Sequence, residues 1–309
     1  MNERLCVIIC THNRAGPLRG AIESVLAQHD PARDFQLLVV DNASTDRTAE
    51  VVAAYPDVRY VYESTPGLNP ARNAGWRAAH ARYVAFLDDD AEAAPGWISA
   101  VRAGLAAADG RPAIVGGPVE PVWCGARPAW LSDQLAVALP AIDWGGEARA
   151  LGDVASEWLI GANMAMPVAL LESVGGFDPR LDRCGANLLS NGDILIQREA
   201  QRRGYPRLYR PDMRVRHPVA PARLTPRWFR QRHYWQGRSD AAMEMIERRP
   251  DARRRMRAVL RRAARLLGST QTLRDLVRPA RDAQAFTRHC FALIELGHIA
   301  GLLGAGRRA

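Results

Sequence analysis

Three acids in a row, Asp88, Asp89 and Asp90, close an apolar run in the stretch "AFLDDDAE". Like charges at adjacent positions repel, so the cluster needs either water around it or a cation among it. In an extended segment alternate side chains share a face, so Asp88 and Asp90 are expected to point together and Asp89 away. Two carboxylates on one face suit a hard divalent cation, Mg2+ or Mn2+, which takes few protein ligands and fills its other positions with substrate phosphate or water. A bare Asp-x-Asp is also what a solvated turn or a helix cap looks like. The buried strand in front of it separates the two readings, and two further polar clusters sit in the same position: "THNR" after "RLCVIIC", and "DNASTD" after "FQLLVV".

These clusters need elements to position them. "RLCVIIC", "FQLLVVDNAS", "VRYVYES" and "RYVAFLDDD" read as strands. Between and after them "GPLRGAIESVLAQ", "RTAEVVAAY", "NPARNAGWRAAHA" and "GWISAVRAGLAA" have helical spacing, with Asp46 placed to cap the second. Strands alternating with helices imply βαβ units and a mainly parallel sheet, with ligands outside the carboxyl ends of the strands. All three clusters fall at that edge. Beyond about residue 110 the pattern loosens. A strand is expected over "SEWLIGANMAMP", helices over "VALLESVGG" and "DILIQREAQRRG", and extended chain over "RLYRPDMRVRHPV". From about 225 the chain reads as Arg-rich helix, with Met256, Val259, Leu260, Ala263 and Leu267 on one stripe.

The chain has 309 residues, 48% of them hydrophobic, which allows one large α/β domain with an appendage or two small domains. A net charge of +9 points to an anionic partner. That signal is discounted because every basic residue is Arg and none is Lys. Cys6, Cys10, Cys124, Cys184 and Cys290 include no closely spaced CxxC pair, so reduced thiols are expected rather than disulfides or zinc. "LCVIIC" is too short for a signal peptide. The longest apolar stretch, "CFALIELGHIAGLLGAG", is interrupted by Glu295 and His298, so no membrane span is expected.

In order along the chain, "VIICTHNR", "LLVVDNASTD", "PGLNPARNAGW", "VAFLDDDAE", "GANMAMPVALLESVGGFD", "LLSNGD" and "YRPDMRVRHPV" resemble a bacterial family 2 glycosyltransferase over roughly residues 5–220. The resemblance implies the GT-A nucleotide-diphospho-sugar transferase fold. It divides the chain into a catalytic domain over 1–222, with a nucleotide-binding half to 110 and an acceptor half beyond, and a C-terminal helical extension over 223–309. It implies a metal-dependent, inverting enzyme that moves a sugar, most readily from a UDP-sugar, to an acceptor hydroxyl. Thr11 would lie near the base, and Asp41 would accept from the uracil N3–H. Asn13, Arg14, Arg72 and Asp89 would line the donor site. Asp88 would contact ribose or metal, Asp90 and His217 would ligate the metal, and Gly161 and Asn163 would border the donor sugar and acceptor. Asp193 would be the general base. The family usually has Gly-Glu-Asp here and this chain has Asn191-Gly192-Asp193, so one of two acids is missing; capping the following helix is the other reading of Asp193.

Two alternatives remain at this level: a GT-A nucleotidyltransferase, although "THNRAGPLRG" lacks a Gly-rich phosphate loop, and a catalytically inactive sugar-nucleotide-binding protein. No nucleic-acid motif accompanies the charge. The expected partners are a nucleotide-sugar donor and an unidentified acceptor: a saccharide, a lipid-linked sugar or a small metabolite. The expected location is cytoplasmic. The basic helical extension could lie on the inner membrane surface, or pack its stripes inward with Arg facing water.

Overall fold

The computed structural model describes residues 5–29, 34–107, 111–183, 185, 187–277, 280 and 282–304. Cys184 lies outside them; Cys6, Cys10, Cys124 and Cys290 are free thiols. The elements run β1 (Leu5–Thr11), α1 (Ala15–Leu26), β2 (Phe35–Asp41), α2 (Thr48–Ala53), β3 (Val58–Tyr62), α3 (Leu68–Ala78), β4 (Tyr83–Asp88), β5 (Glu92–Ala93), α4 (Trp97–Ala106), β6 (Ile114–Gly116), β7 (Val119–Trp123) and α5 (Asp133–Ala136). Then follow β8 (Arg149–Ala150), β9 (Asn163–Pro167), α6 (Val168–Val174), α7 (Gly192–Arg202), β10 (Arg207–Tyr209), β11 (Val215–Val219), α8 (Pro226–Arg248), α9 (Ala252–Leu267), α10 (Thr270–Val277) and α11 (Ala283–Gly304).

Two compact units form. The first comprises 1–122, 140–179 and 192–218; the second comprises 123–139, 180–191 and 219–309. The residues expected as a helical extension therefore share their unit with two earlier segments.

The first unit is built on an eight-stranded sheet of order β3-β2-β1-β4-β9-β6-β10-β8. β1 to β4 are mutually parallel, and β9 enters antiparallel to both β4 and β6. The strands are apolar at nearly every position because both faces are covered. On β1, Leu5, Val7 and Ile9 pack to one side with Leu18, Ile22 and Val25 of α1 and Trp97 and Ile98 of α4. Cys6 and Ile8 pack to the other with Ala71 and Trp76 of α3, Leu170 and Leu171 of α6 and Ile196 of α7. A second sheet, β5-β11-β7, brings β11 beside the residues that follow β4.

The strand expected over "SEWLIGANMAMP" forms only at Asn163–Pro167. The reason is local. The amide of Gln197, itself fully buried, accepts from Leu159 N (2.8 Å) and donates to Leu159 O (2.9 Å), satisfying that backbone in place of a neighbouring strand.

In the second unit Thr225 caps α8, its hydroxyl accepting from Trp228 N at 3.2 Å, and α8 packs along α11. The crossing is close because Gly237 and Gly297 lack a Cβ; a methyl on either would run into the carbonyl of Ile294 or Tyr234 on the facing helix. Trp130 meets the rings of Phe229 and Phe286 edge-on, each at 5.2 Å. The expected apolar stripe of α9 divides: Val259 is buried and Ala263 half-buried, but Met256, Leu260 and Leu267 face solvent. Among the described residues no helix is long and apolar enough to cross a membrane.

Candidate functional site

The loops after β1 and β2 are stapled together. Asn13, in the left-handed region at φ 53°, accepts from Thr45 N (2.7 Å) and Asp46 N (3.2 Å), and its own N–H donates to Ser44 Oγ at 2.9 Å. Its side-chain oxygen is thus engaged in loop geometry. The N-cap of α2 is Arg47 and that of α1 is Arg14; Asp46, one residue before the α2 cap, instead accepts from the first amide of each helix, Thr48 N and Ala15 N, both at 3.0 Å. Thr11 ends β1, 3% exposed, and its carbonyl accepts from Asn42 N at 2.9 Å.

Asp41, 2% exposed, accepts from Ser44 N (2.9 Å) and Tyr60 Oη (2.8 Å). Burial, and then the Asp41 charge, push the Tyr60 phenol up to about 12. Each carboxylate oxygen keeps a second lone pair, so Asp41 is oriented and can still accept. Asn42, which sequence reasoning missed, donates to Glu63 O and Thr65 O (3.1 and 2.7 Å) and accepts from Gly67 N at 2.6 Å. One side chain thereby ties the β2 edge to the start of α3.

The acidic triple behaves as its spacing implies. β4 ends at Asp88 and the chain turns, and Asp88 and Asp90 converge on His217 of β11. His217 Nε2 is 3.6 Å from Asp88 Oδ2 and 3.2 Å from Asp90 Oδ1. Its ring is 1% exposed, and Nδ1 meets Pro218 O at 3.0 Å. A proton on Nδ1 is thereby held by the carbonyl, and Nε2 is directed at the carboxylates, donating to them when the ring is charged and open to a cation when it is neutral. Burial disfavours a charged imidazole, but the Asp88 and Asp90 carboxylates outweigh it and raise the His217 pKa. Two carboxylates and an imidazole, with ligand atoms within 4.8 Å of one another, form a donor set fit for a divalent cation.

Asp89 and Arg14, both expected to line the donor site, pair with each other. Asp89 is 6% exposed and turned inward; Arg14 Nη1 reaches Asp89 Oδ1 at 2.8 Å and Asp90 Oδ2 at 2.7 Å. Burial raises the Asp89 carboxyl to about 6 against the pull of the guanidinium. Arg14 thus offsets part of the local negative charge and holds the outer oxygen of Asp90, leaving Oδ1 toward His217.

A second chain of contacts runs through Arg72, 7% exposed. Its guanidinium lies over Phe177 (5.3 Å) and Phe86 (5.9 Å), with Nη2 3.9 Å from Asp88 Oδ1. Gly161 leaves the room for it: a Cβ there would stand 2.5 Å from Arg72 Nη2. The Gly161 N–H donates to Asp193 Oδ2 at 3.0 Å, and Ile194 N donates to Oδ1 at 2.9 Å. Asp193, in the first turn of α7, is aimed by two backbone donors. Gly161→Ala is expected to displace the guanidinium and to lower stability by about 1–3 kcal/mol, read as the midpoint of urea unfolding. An unchanged midpoint would show that Arg72 has slack.

Asn163, expected to border the donor sugar and acceptor, is placed as an internal strut. It is fully buried, its oxygen accepts from Trp97 Nε1 (2.9 Å), and both its N–H groups are taken by Pro118 O (3.0 Å) and Met213 O (2.7 Å).

The family model described as glycosyl transferase family 2 matches residues 6–134. Validoxylamine A glucosyltransferase of Streptomyces hygroscopicus subsp. jinggangensis is 28% identical over 200 residues, 56% of this chain and 47% of that protein, so the chain spans about half the length of that relative. Glucosyl-dolichyl phosphate glucuronosyltransferase of Haloferax volcanii is 25% identical over 253 residues, 79% of this chain and 78% of that one. The mannosyltransferase PcManGT of Pyrobaculum calidifontis, solved with GDP-Man and Mn2+, superposes with a TM-score of 0.62 at 20% identity over 99% of this chain and 88% of its own.

Proposed function

We propose that this chain, which has the GT-A fold and matches glycosyl transferase family 2 over residues 6–134, moves a sugar from a UDP-sugar to an acceptor hydroxyl with inversion at the anomeric carbon. The observation that carries the reading is the convergence of Asp88, Asp90 and His217 at the carboxyl edge of the parallel strands, beside the loop that aims Asp41. Asp88, Asp90 and His217 would hold a divalent cation. An imidazole in the set favours Mn2+ over Mg2+, whose preferred ligands are oxygens. A cation bound there supplies positive charge against the donor diphosphate.

The chain's own groups account for the rest. Asp41, held by Ser44 and Tyr60, accepts from the uracil N3–H. The Arg72 guanidinium, fixed on two rings, adds positive charge next to Asp88. Asp193 takes the acceptor proton as the hydroxyl oxygen bonds to the anomeric carbon and the nucleotide diphosphate departs with the bonding electrons. The two backbone donors on Asp193 hold its orientation, so both oxygens are presented in fixed directions.

The test is linkage between nucleotide and metal. UDP is expected to bind at least about tenfold more tightly in Mn2+ than in EDTA, seen as a larger rise in melting temperature at equal UDP concentration. Equal affinity in both buffers would remove the cation from the donor site and sink the reading.

A further inference from the structure

Helix α9 carries seven arginines and no acid in its 16 residues. It packs into the second unit through Ala258, Val259 and Leu266. Met256, Leu260 and Leu267 are left 49%, 61% and 67% exposed. At about 100° per residue these three lie within about 40° of one another, one narrow apolar stripe beside the buried side. Arg253, Arg254, Arg257 and Arg261 are exposed beyond it. Arg262 and Arg265 are tied to Glu295 within the unit, whereas those four make no ion pair with a described residue. The helix thus has three sides: one packed, one apolar and bare, one cationic and unneutralised.

We propose that this face of α9 binds an anionic lipid surface. A helix lying in the headgroup plane places its apolar stripe at the acyl boundary and its arginines among the phosphates, reached by the long arginine stems. Each basic group near such a surface adds to the attraction. Other occupants match only half of the pattern. A nucleic acid would satisfy the arginines but leave Met256, Leu260 and Leu267 in water, and α9 offers no aromatic to stack a base and no amide to read one. A second copy docking by a two-fold axis would face the same arginines against themselves. The aromatic residues of α8 do not compete for the role. Phe229 is buried, and Trp228, Tyr234 and Trp235 are half-buried. This surface role stands whether or not the chain transfers a sugar.

The full chain should co-sediment with phosphatidylcholine vesicles containing about a third phosphatidylglycerol and not with pure phosphatidylcholine vesicles, and 0.5 M NaCl should weaken the binding through screening. The double variant Met256→Gln/Leu260→Gln keeps every charge and changes only exposed side chains. It should melt like the parent and respond to UDP like the parent, yet bind the anionic vesicles about tenfold or more weakly. No sedimentation of the parent at low salt would overturn the proposal. So would unaltered vesicle binding by the double variant, which would reduce α9 to a general polyanion site. Displacement from vesicles by a short DNA duplex that binds parent and variant equally would assign the arginines to nucleic acid instead.

Discussion

Asp193→Asn is expected to fold, to bind UDP-sugar with near-parent affinity, and to transfer sugar about 10²–10⁴-fold more slowly. The size follows from removing the group proposed to take the acceptor proton while leaving the donor-side residues in place. An asparagine is isosteric but brings one acceptor oxygen where the carboxylate had two. One of the two backbone donors on Asp193, Gly161 N or Ile194 N, then faces an N–H instead. That mismatch costs about 1–3 kcal/mol if the group stays buried. The expected signature is therefore a large fall in kcat, a small fall in melting temperature and an unchanged nucleotide response. Turnover near that of the parent would leave Asp193 as a helix cap and move the base to another acid, with Glu199 and Asp182 the first to replace.

Asp90→Asn is expected to weaken Mn2+ binding by about 100-fold or more, measured by titrating free Mn2+ in its electron paramagnetic resonance signal. Altering groups that merely support a metal ligand costs about 10–100-fold, and Asp90 would be a ligand itself. It also carries a second duty, since its Oδ2 accepts from Arg14 at 2.7 Å. The substitution would leave Arg14 with Asp89 as its remaining partner and remove one negative charge from the cluster. Transfer should fall with the metal affinity and recover in part at high Mn2+. If Mn2+ binds the variant as tightly as the parent, the Asp88, Asp90 and His217 cluster is a structural ion-pair network.

Much of the first unit was legible because burial on both sides of a sheet leaves an unambiguous pattern. The apolar runs in β1, β2 and β4 end at Thr11, Asp41 and Asp88, and the carboxyl-edge rule then gathers the polar clusters. Alternation predicted that Asp88 and Asp90 share a side, but the chain brings them together through a turn after β4, closed by Ala91 N donating to Asp88 O at 3.1 Å. Other features depend on partners that spacing does not reveal. Tyr60 reaches Asp41 diagonally across β2 and β3, whose register sets Asp41 opposite Tyr62. Asn163 is engaged by Trp97, Pro118 and Met213, all distant in sequence, partners that its glycine-bordered motif does not reveal. On α9 periodicity showed that Met256, Leu260 and Leu267 share a side. It could not show whether anything covers that side, because coverage depends on which helix packs where.

The buried amide of Gln197 has a consequence for motion. Gln197 and Asp193 are one turn apart on α7, and each grips the segment before β9: Gln197 through both backbone groups of Leu159, Asp193 through the N–H of Gly161. Two anchors on a single rigid rod remove the freedom to tilt as well as the freedom to slide. Residues 159–161 and the head of α7 must therefore travel as one piece in any breathing of the site. The carboxylate keeps its distance from the Gly161 backbone through that motion, and the Arg72 guanidinium rides against the same glycine. Thermal fluctuation in this part of the molecule carries the Asp193 carboxylate and the Arg72 guanidinium along together, so a carboxylate acting as the proposed base would keep its register to its neighbour.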